Sequence, residues 1–201
     1  MDQIKVQKDL EFIKKIIDDS SSIITSNGLY YIIWGGASVL CTILTYIAIY
    51  LNLEYLILWI WVFFFTIGGI LVFFVARNDR YTKNAIVGKI YAYVWIGILV
   101  FLGIFTFNAL VIGKYSINFL LSVTAGILGL GYFITSAISK NKWLFILSFV
   151  WWAGCFPILL ADEYYSPLIL TSLVFVCEFI PGLLIVIRSK KAKSEKKMEN
   201  E

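Results

Sequence analysis

The chain has 201 residues, of which 60% are hydrophobic and only 15% are charged, and its formal net charge is +4. A soluble domain of this size cannot bury that much apolar surface, so the composition excludes an ordinary soluble globular protein and indicates a membrane protein. Histidine is absent, which removes the commonest proton-transfer group and the commonest transition-metal ligand from any site that the chain forms.

Residues 2–19 are predicted to form an amphipathic helix, and a linker joins this helix to the first apolar run at residue 28. An apolar stripe recurs along the helix at spacings of four, three and four: Val6, Leu10, Ile13 and Ile17. Acidic residues offset the lysines on the polar face, so we expect the stripe to contact protein: this chain, a sister subunit or a different cytoplasmic protein. Lipid is the remaining alternative. We expect no cleavable signal peptide in residues 1–27.

Six apolar runs follow, and each is close to the roughly 20 residues that a helix needs to cross a membrane. They occupy residues 28–50, 55–76, 90–112, 117–138, 143–161 and 167–187. The runs lack the alternation of polar and apolar residues that a barrel wall requires. The sequence therefore predicts an all-α integral membrane protein with a bundle of six transmembrane helices across residues 28–187.

Weak internal similarity between the spans favours an arrangement in three helical hairpins. Odd spans place an aromatic residue shortly before a small one, as in Trp34 and Gly35, and even spans place a glycine before an aliphatic run, as in Gly69-Ile70-Leu71. Small residues allow helices to approach closely in lipid. Glycine and tryptophan are common in membrane spans in any case, so the pattern leaves true duplication open.

The distribution of basic residues predicts the orientation. Sixteen of the 17 lysine and arginine residues fall in four segments: 1–27, 77–89, 140–142 and 188–197. The three connections on the opposite side contain only Lys114. Because basic residues of short loops stay on the cytoplasmic side, both termini are predicted to be cytoplasmic.

Two further expectations come from the basic residues. The tail at residues 188–201 is predicted to attract anionic lipids through the positive charges at 188–197. The excess of lysine over arginine, 14 against 3, is typical of an AT-rich bacterial genome. We therefore expect the protein in the cytoplasmic membrane of a bacterium.

No familiar catalytic, cofactor-binding or metal-binding motif is present in the sequence. It contains no glycine-rich phosphate loop, no GxSxG elbow and no CxxC pair. Cys41, Cys155 and Cys177 fall inside predicted spans and are expected to be buried, inert thiols. The short basic run of the tail lacks interleaved aromatic residues, which argues against nucleic-acid binding. We expect neither an enzyme nor a cofactor.

Glu178 is the most informative residue, because it is the only carboxylate well inside a predicted span. A charged group at this depth opposes membrane insertion, and burial favours its neutral, protonated form. Pro181 lacks an N–H group and leaves the carbonyl of Cys177 without its helical donor. A candidate intramembrane proton or cation site is assembled from this region and from polar residues at similar depth: Glu178, Thr171, Pro181, Thr66 and Ser38. A structural alternative is that neutral Glu178 hydrogen-bonds a neighbouring helix and fixes the register of the bundle.

The sequence supports two functional hypotheses. The favoured one is a membrane-embedded binding, sensor or assembly component that uses the stripe on its N-terminal helix. The alternative is a proton-coupled small-solute or cation transporter or channel centred on Glu178.

Overall fold

The computed structural model describes residue 7 and residues 28–78, 86–113 and 115–198 of the chain. The predicted amphipathic helix, with its stripe at Val6, Leu10, Ile13 and Ile17, therefore lies outside the described residues. Its contacts stay a prediction.

The described residues form helices joined by short connections. In chain order these are α1 (Leu29–Tyr50), a 3-10 helix (Glu54–Leu56), α2 (Ile57–Asn78), α3 (Ile86–Ile112), α4 (Ile117–Ser139), α5 (Lys142–Leu160), α6 (Ser166–Val174), a π-helical segment (Phe175–Phe179) and α7 (Ile180–Met198). The last three elements are continuous, and the sixth span begins with α6 and ends within α7.

Six helical stretches are long and apolar enough to cross a membrane, which confirms the prediction of an all-α membrane protein with six spans. Their boundaries agree with the predicted ones to within three residues at every end. The first span starts at the same end of the bundle at which the last one finishes. We call this the basic end, because the described residues Arg77, Lys89, Lys140, Lys142 and Arg188 lie there.

The interior is built mainly by four spans: α1, α4, α5 and the sixth span. The most extensive helix–helix contact joins α4 and α5, whose connection is only two residues long. Each predicted hairpin pair is also in contact. Within the described residues α2 packs against α1 and the short 3-10 helix, and α3 packs against α4. These two spans are therefore peripheral, and their side chains are mostly exposed.

The first and sixth spans cross closely along a line of contacts. A Cβ atom placed on Gly28 would clash with the carbonyl oxygen of Gly182, and one placed on Gly35 would lie 3.0 Å from the backbone nitrogen of Phe179. Farther along, the hydroxyl groups of Thr42 and Thr171 are hydrogen bonded at 2.6 Å. Small residues on α1 therefore set the approach of the segment that contains Glu178.

Candidate functional site

Glu178 lies in the π-helical segment of the sixth span, where the backbone turn is wider than in the α-helices on either side. The amide of Ile180 donates to the carbonyl of Phe175, five residues earlier, which is the π-helical pattern. Such single-turn π segments are frequent at functional sites. The side chain of Glu178 is buried at 7% exposure, whereas its neighbour Cys177 is completely enclosed at 0%. Glu178 is therefore buried but not completely enclosed.

The backbone beside Glu178 is completed by a tyrosine from another helix. Pro181 has no N–H group to offer to the carbonyl of Cys177, as the sequence indicates. In the structure the hydroxyl of Tyr132, on α4, donates to this carbonyl at 3.1 Å. Tyr132 is 1% exposed, so the bond is sheltered from water and from lipid. The sixth span is thus fixed to α4 at the point where its own hydrogen bonding is interrupted.

Three tyrosines from three different helices lie near the Glu178 carboxyl. Tyr31 on α1, Tyr91 on α3 and Tyr132 on α4 are all within electrostatic range of it. The side chains of Tyr31 and Tyr91 also lie close enough to interact with each other. The rings of Tyr31 and Tyr132 lie 6.3 Å apart, measured between centroids. The environment of the carboxyl is therefore rich in hydroxyl groups.

Two tryptophans enclose these tyrosines. The ring of Trp95 meets that of Tyr132 edge-on at 5.8 Å, and its indole N–H donates to the hydroxyl of Thr135 at 3.2 Å. Trp151 packs against the other side of Tyr132, with ring centroids 6.1 Å apart. Trp151 is fully buried, and its indole N–H is the one enclosed side-chain polar atom in the described part of the chain without a hydrogen-bond partner. The ring of Tyr132, the donor to the carbonyl of Cys177, therefore packs against two indole rings.

Among the described residues, no hydrogen bond or ion pair joins the carboxyl of Glu178 to another side chain, although the residue is buried. A buried carboxyl that stabilised the bundle would need such a partner, because an unsatisfied polar group in a low-dielectric interior is costly. The described contacts therefore do not provide the interhelical hydrogen bond that the structural alternative requires.

The other candidate residues that were selected from the sequence lie at different places in the bundle. Pro181 follows the π-helical segment directly, and Thr171 is engaged with Thr42 about two turns from Glu178. The hydroxyl of Ser38 donates to the carbonyl of Trp34 within α1. Thr66 donates to a carbonyl of its own helix, α2, which makes no contact with the sixth span in the described structure. Ser38 and Thr66 thus use their hydroxyl groups away from the carboxyl.

The three cysteines are unpaired thiols. Cys41 and Cys177 are buried, as expected, whereas Cys155 is only partly buried. Its thiol lies 3.4 Å from the carbonyl oxygen of Ser122 on α4. These contacts are typical of thiols that pack between helices.

The tyrosines are the part of the site that the sequence analysis missed. Tyr132 could have been selected from the sequence, because it lies well inside its span and not in an interfacial belt, where tyrosine is usually found. A buried tyrosine hydroxyl needs a hydrogen-bond partner, and the carbonyl freed by Pro181 needs a donor. Tyr31 and Tyr91 carried no such signal, since both lie near span ends.

Replacing Tyr132 by phenylalanine is expected to destabilise the protein by about 1–3 kcal/mol, the usual cost of leaving a buried acceptor unsatisfied. The reason is that the carbonyl of Cys177 loses the donor that replaces the missing N–H of Pro181. Denaturant unfolding of the purified protein in detergent measures the change. Tyr93→Phe is the matched control, because Tyr93 is exposed. Equal stability of the two variants would show that the hydroxyl of Tyr132 contributes nothing.

No family model, curated protein or solved structure is significantly similar to this chain. The function of the protein therefore has to be inferred from the geometry of the site.

Proposed function

We propose that this protein is a small proton-coupled transporter or channel in which Glu178 binds the proton. The observation that carries the proposal is a buried carboxyl, on a π-helical segment of a membrane span, with no hydrogen-bond or ion-pair partner among the described side chains. Ionisable residues inside spans are costly and usually mark ion pathways or proton relays. Transporters commonly place such sites where a spanning helix is interrupted.

A carboxyl without a fixed partner suits reversible proton binding. A strong hydrogen bond or an ion pair would hold Glu178 in one protonation state, whereas an unengaged carboxyl can gain and lose its proton as the surroundings change. Glu178 is buried but not completely enclosed, and of all transported species a proton needs the least space to reach it.

Tyr31 and Tyr91 provide a route between Glu178 and the basic end of the bundle. Their side chains lie close enough to interact with each other, and each lies within electrostatic range of the carboxyl. Tyr31 is the third residue of α1, and Tyr91 is the sixth residue of α3, so both lie near the basic end. A hydroxyl both donates and accepts, which allows the pair to pass a proton along.

Span α3 is the part of the bundle best suited to control this route. It brings Tyr91 to the site, yet within the described residues its backbone packs against α4 alone. A segment with few buried contacts moves at low cost in free energy. Movement of α3 would separate Tyr91 from Tyr31 and interrupt the path, while the contact between the first and sixth spans stays closed.

The membrane and the orientation belong to the same proposal. The excess of basic residues at one end, 16 of 17 in the whole chain, supports a cytoplasmic basic end and cytoplasmic termini in the inner membrane of a bacterium. Arg188 and Lys191 are exposed on α7 where it continues beyond the sixth span. Their charges support attraction of anionic lipids to this helix.

The partner-binding hypothesis remains a separate prediction. It depends on the stripe at Val6, Leu10, Ile13 and Ile17, which is outside the described residues, so no described contact bears on it. A protein that couples proton binding to the state of a partner would combine both hypotheses, with the carboxyl as its sensor.

Proton flux in reconstituted vesicles tests the proposal. We impose a pH gradient across the vesicle membrane, add a potassium ionophore to compensate the charge, and follow the internal pH with an enclosed dye. The internal pH is expected to change faster in vesicles that contain the protein than in protein-free vesicles. Equal rates for folded protein and for empty vesicles, with and without added monovalent cations, would refute transport.

Tyr91→Phe is expected to lower the proton flux by roughly tenfold, because a relay that lacks one hydroxyl has to use a slower route. Tyr93→Phe, on the same helix but with an exposed side chain, is expected to keep the wild-type rate. The initial rates of the two variants, measured at equal protein density, decide the role of Tyr91. A wild-type rate in Tyr91→Phe would remove this tyrosine from the path.

A further inference from the structure

A groove opens on the surface where α4 ends and α5 begins, at the basic end of the bundle. It encloses about 270 Å³. Lys140 and Lys142 lie on its rim, and Phe133, Ala137 and Phe145 line the part inside the membrane spans. The groove thus combines a cationic mouth with an apolar floor at the boundary of the membrane.

The positive charges at the mouth are uncompensated. Both lysines are exposed, and neither forms an ion pair within the described structure. The connection also contains no acidic residue, since Lys140 is followed by Asn141, whose side chain accepts from the amide of Trp143 and caps α5. The start of α5 adds the positive end of its helix dipole. The mouth is therefore complementary to an anion.

Neither lysine is the residue that the fold itself prefers at its position. Lys140 has a left-handed backbone, with φ of 54°, which glycine adopts more easily than any residue with a side chain. Lys142 lies in the first turn of α5, where a positive charge opposes the helix dipole. At Lys142 the charge thus opposes the local helix dipole, which fits a role for this lysine in binding an anion rather than in stabilising the helix.

The apolar floor continues along the membrane-facing surface. The rings of Phe133 and Phe145 lie 5.7 Å apart, and the ring of Phe149, one turn farther along α5, lies 5.1 Å from that of Phe145. Phe145 and Phe149 are exposed. These rings form an apolar path along the start of the span, which suits a hydrocarbon chain better than a soluble anion.

We propose that this groove binds an anionic phospholipid. Its phosphate group lies between Lys140 and Lys142, and one acyl chain follows Phe133, Phe145 and Phe149. Basic pockets between spans on the cytoplasmic side are a recognised way of holding anionic lipids. The site is distinct from the basic helix at 188–197, and it depends neither on Glu178 nor on proton transport.

Titration of the purified full-length protein with phosphatidylglycerol tests the site, with native mass spectrometry counting bound lipid. We expect one phosphatidylglycerol to bind in preference to phosphatidylcholine. The double variant Lys140→Gly, Lys142→Gln is expected to bind phosphatidylglycerol about 30-fold more weakly, from the usual contribution of each basic residue near an anionic lipid. Without lipid it should unfold at the same temperature as wild type or higher, because both changes favour the local backbone.

The matched control removes the same charge elsewhere at the basic end. Arg77 and Lys89 are exposed and do not line the groove, so Arg77→Gln, Lys89→Gln is expected to bind phosphatidylglycerol as wild type does. An equal loss of phosphatidylglycerol binding in both double variants would overturn the proposal, because it would show a general effect of charge. Equal binding of phosphatidylcholine, or binding of inorganic phosphate as tight as that of the lipid, would also overturn it. If the groove variant fails to fold, Lys142→Gln alone is measured, with about fivefold weaker binding expected.

Discussion

Glu178→Gln is expected to abolish proton flux in reconstituted vesicles while leaving the protein folded. Glutamine keeps the size and most of the polarity of glutamate but has no proton to exchange near neutral pH. The change removes no hydrogen bond or ion pair among the described side chains, so we expect the unfolding midpoint to stay at the wild-type temperature or to rise. Initial flux rates and thermal unfolding, measured on the same preparations, check both parts.

A carboxylate elsewhere on the molecule provides the control. Glu163 is exposed at the end of the bundle opposite the basic end, and Glu163→Gln is expected to transport at the wild-type rate. A Glu178→Gln variant that carries protons at the wild-type rate would remove Glu178 from the pathway. A variant without flux but with a strongly lowered midpoint would instead support the structural alternative, in which the carboxyl holds neighbouring helices in register.

Gly182→Ala is expected to destabilise the protein by about 1–3 kcal/mol, the usual range for overpacking in a filled interior. A Cβ atom at this position would lie 2.7 Å from the Cβ of Tyr31 and 2.8 Å from the carbonyl oxygen of Gly28. Because the second contact is with backbone, a change of rotamer cannot relieve it, and the first and sixth spans have to separate. Denaturant unfolding in detergent measures the loss.

Gly103→Ala is the matched control, since no atom lies within 4 Å of a Cβ placed there. Alanine is the better helix former, so this variant is expected to be as stable as wild type or up to about 1 kcal/mol more stable. If Gly182→Ala were as stable as Gly103→Ala, the close crossing of the first and sixth spans would not exist in the membrane. Flux through Gly182→Ala should fall as well, because Tyr31 would be displaced from Glu178.

The spans could be predicted because hydrocarbon thickness imposes a length on every crossing helix, and six runs of that length stand out in the sequence. Glu178 and Pro181 could be selected for a similar reason, since lipid makes a lone carboxyl and a missing N–H group costly. Both signals are local and need no knowledge of neighbouring helices.

The partners of Glu178 could not be predicted, because equal depth does not make two residues neighbours. Thr66 and Ser38 were selected by depth, but α2 is peripheral, and Ser38 is bonded to its own helix. Tyr91 comes from a span that packs on the opposite flank of the bundle from α2. Helix order around a bundle depends on side-chain packing between all spans at once, and a single sequence shows only the spacing along each one.

The close crossing of Gly28 and Gly182 also has a consequence for biogenesis. The first span leaves the ribosome before the other five, yet its closest backbone partner is in the last one. Until the sixth span is inserted, the small-residue face of α1 at Gly28, Gly35 and Thr42 has only lipid or a chaperone to cover it. Glu178 arrives with that same span, so the costly carboxyl enters the membrane when the tyrosines of α1, α3 and α4 are already there to receive it.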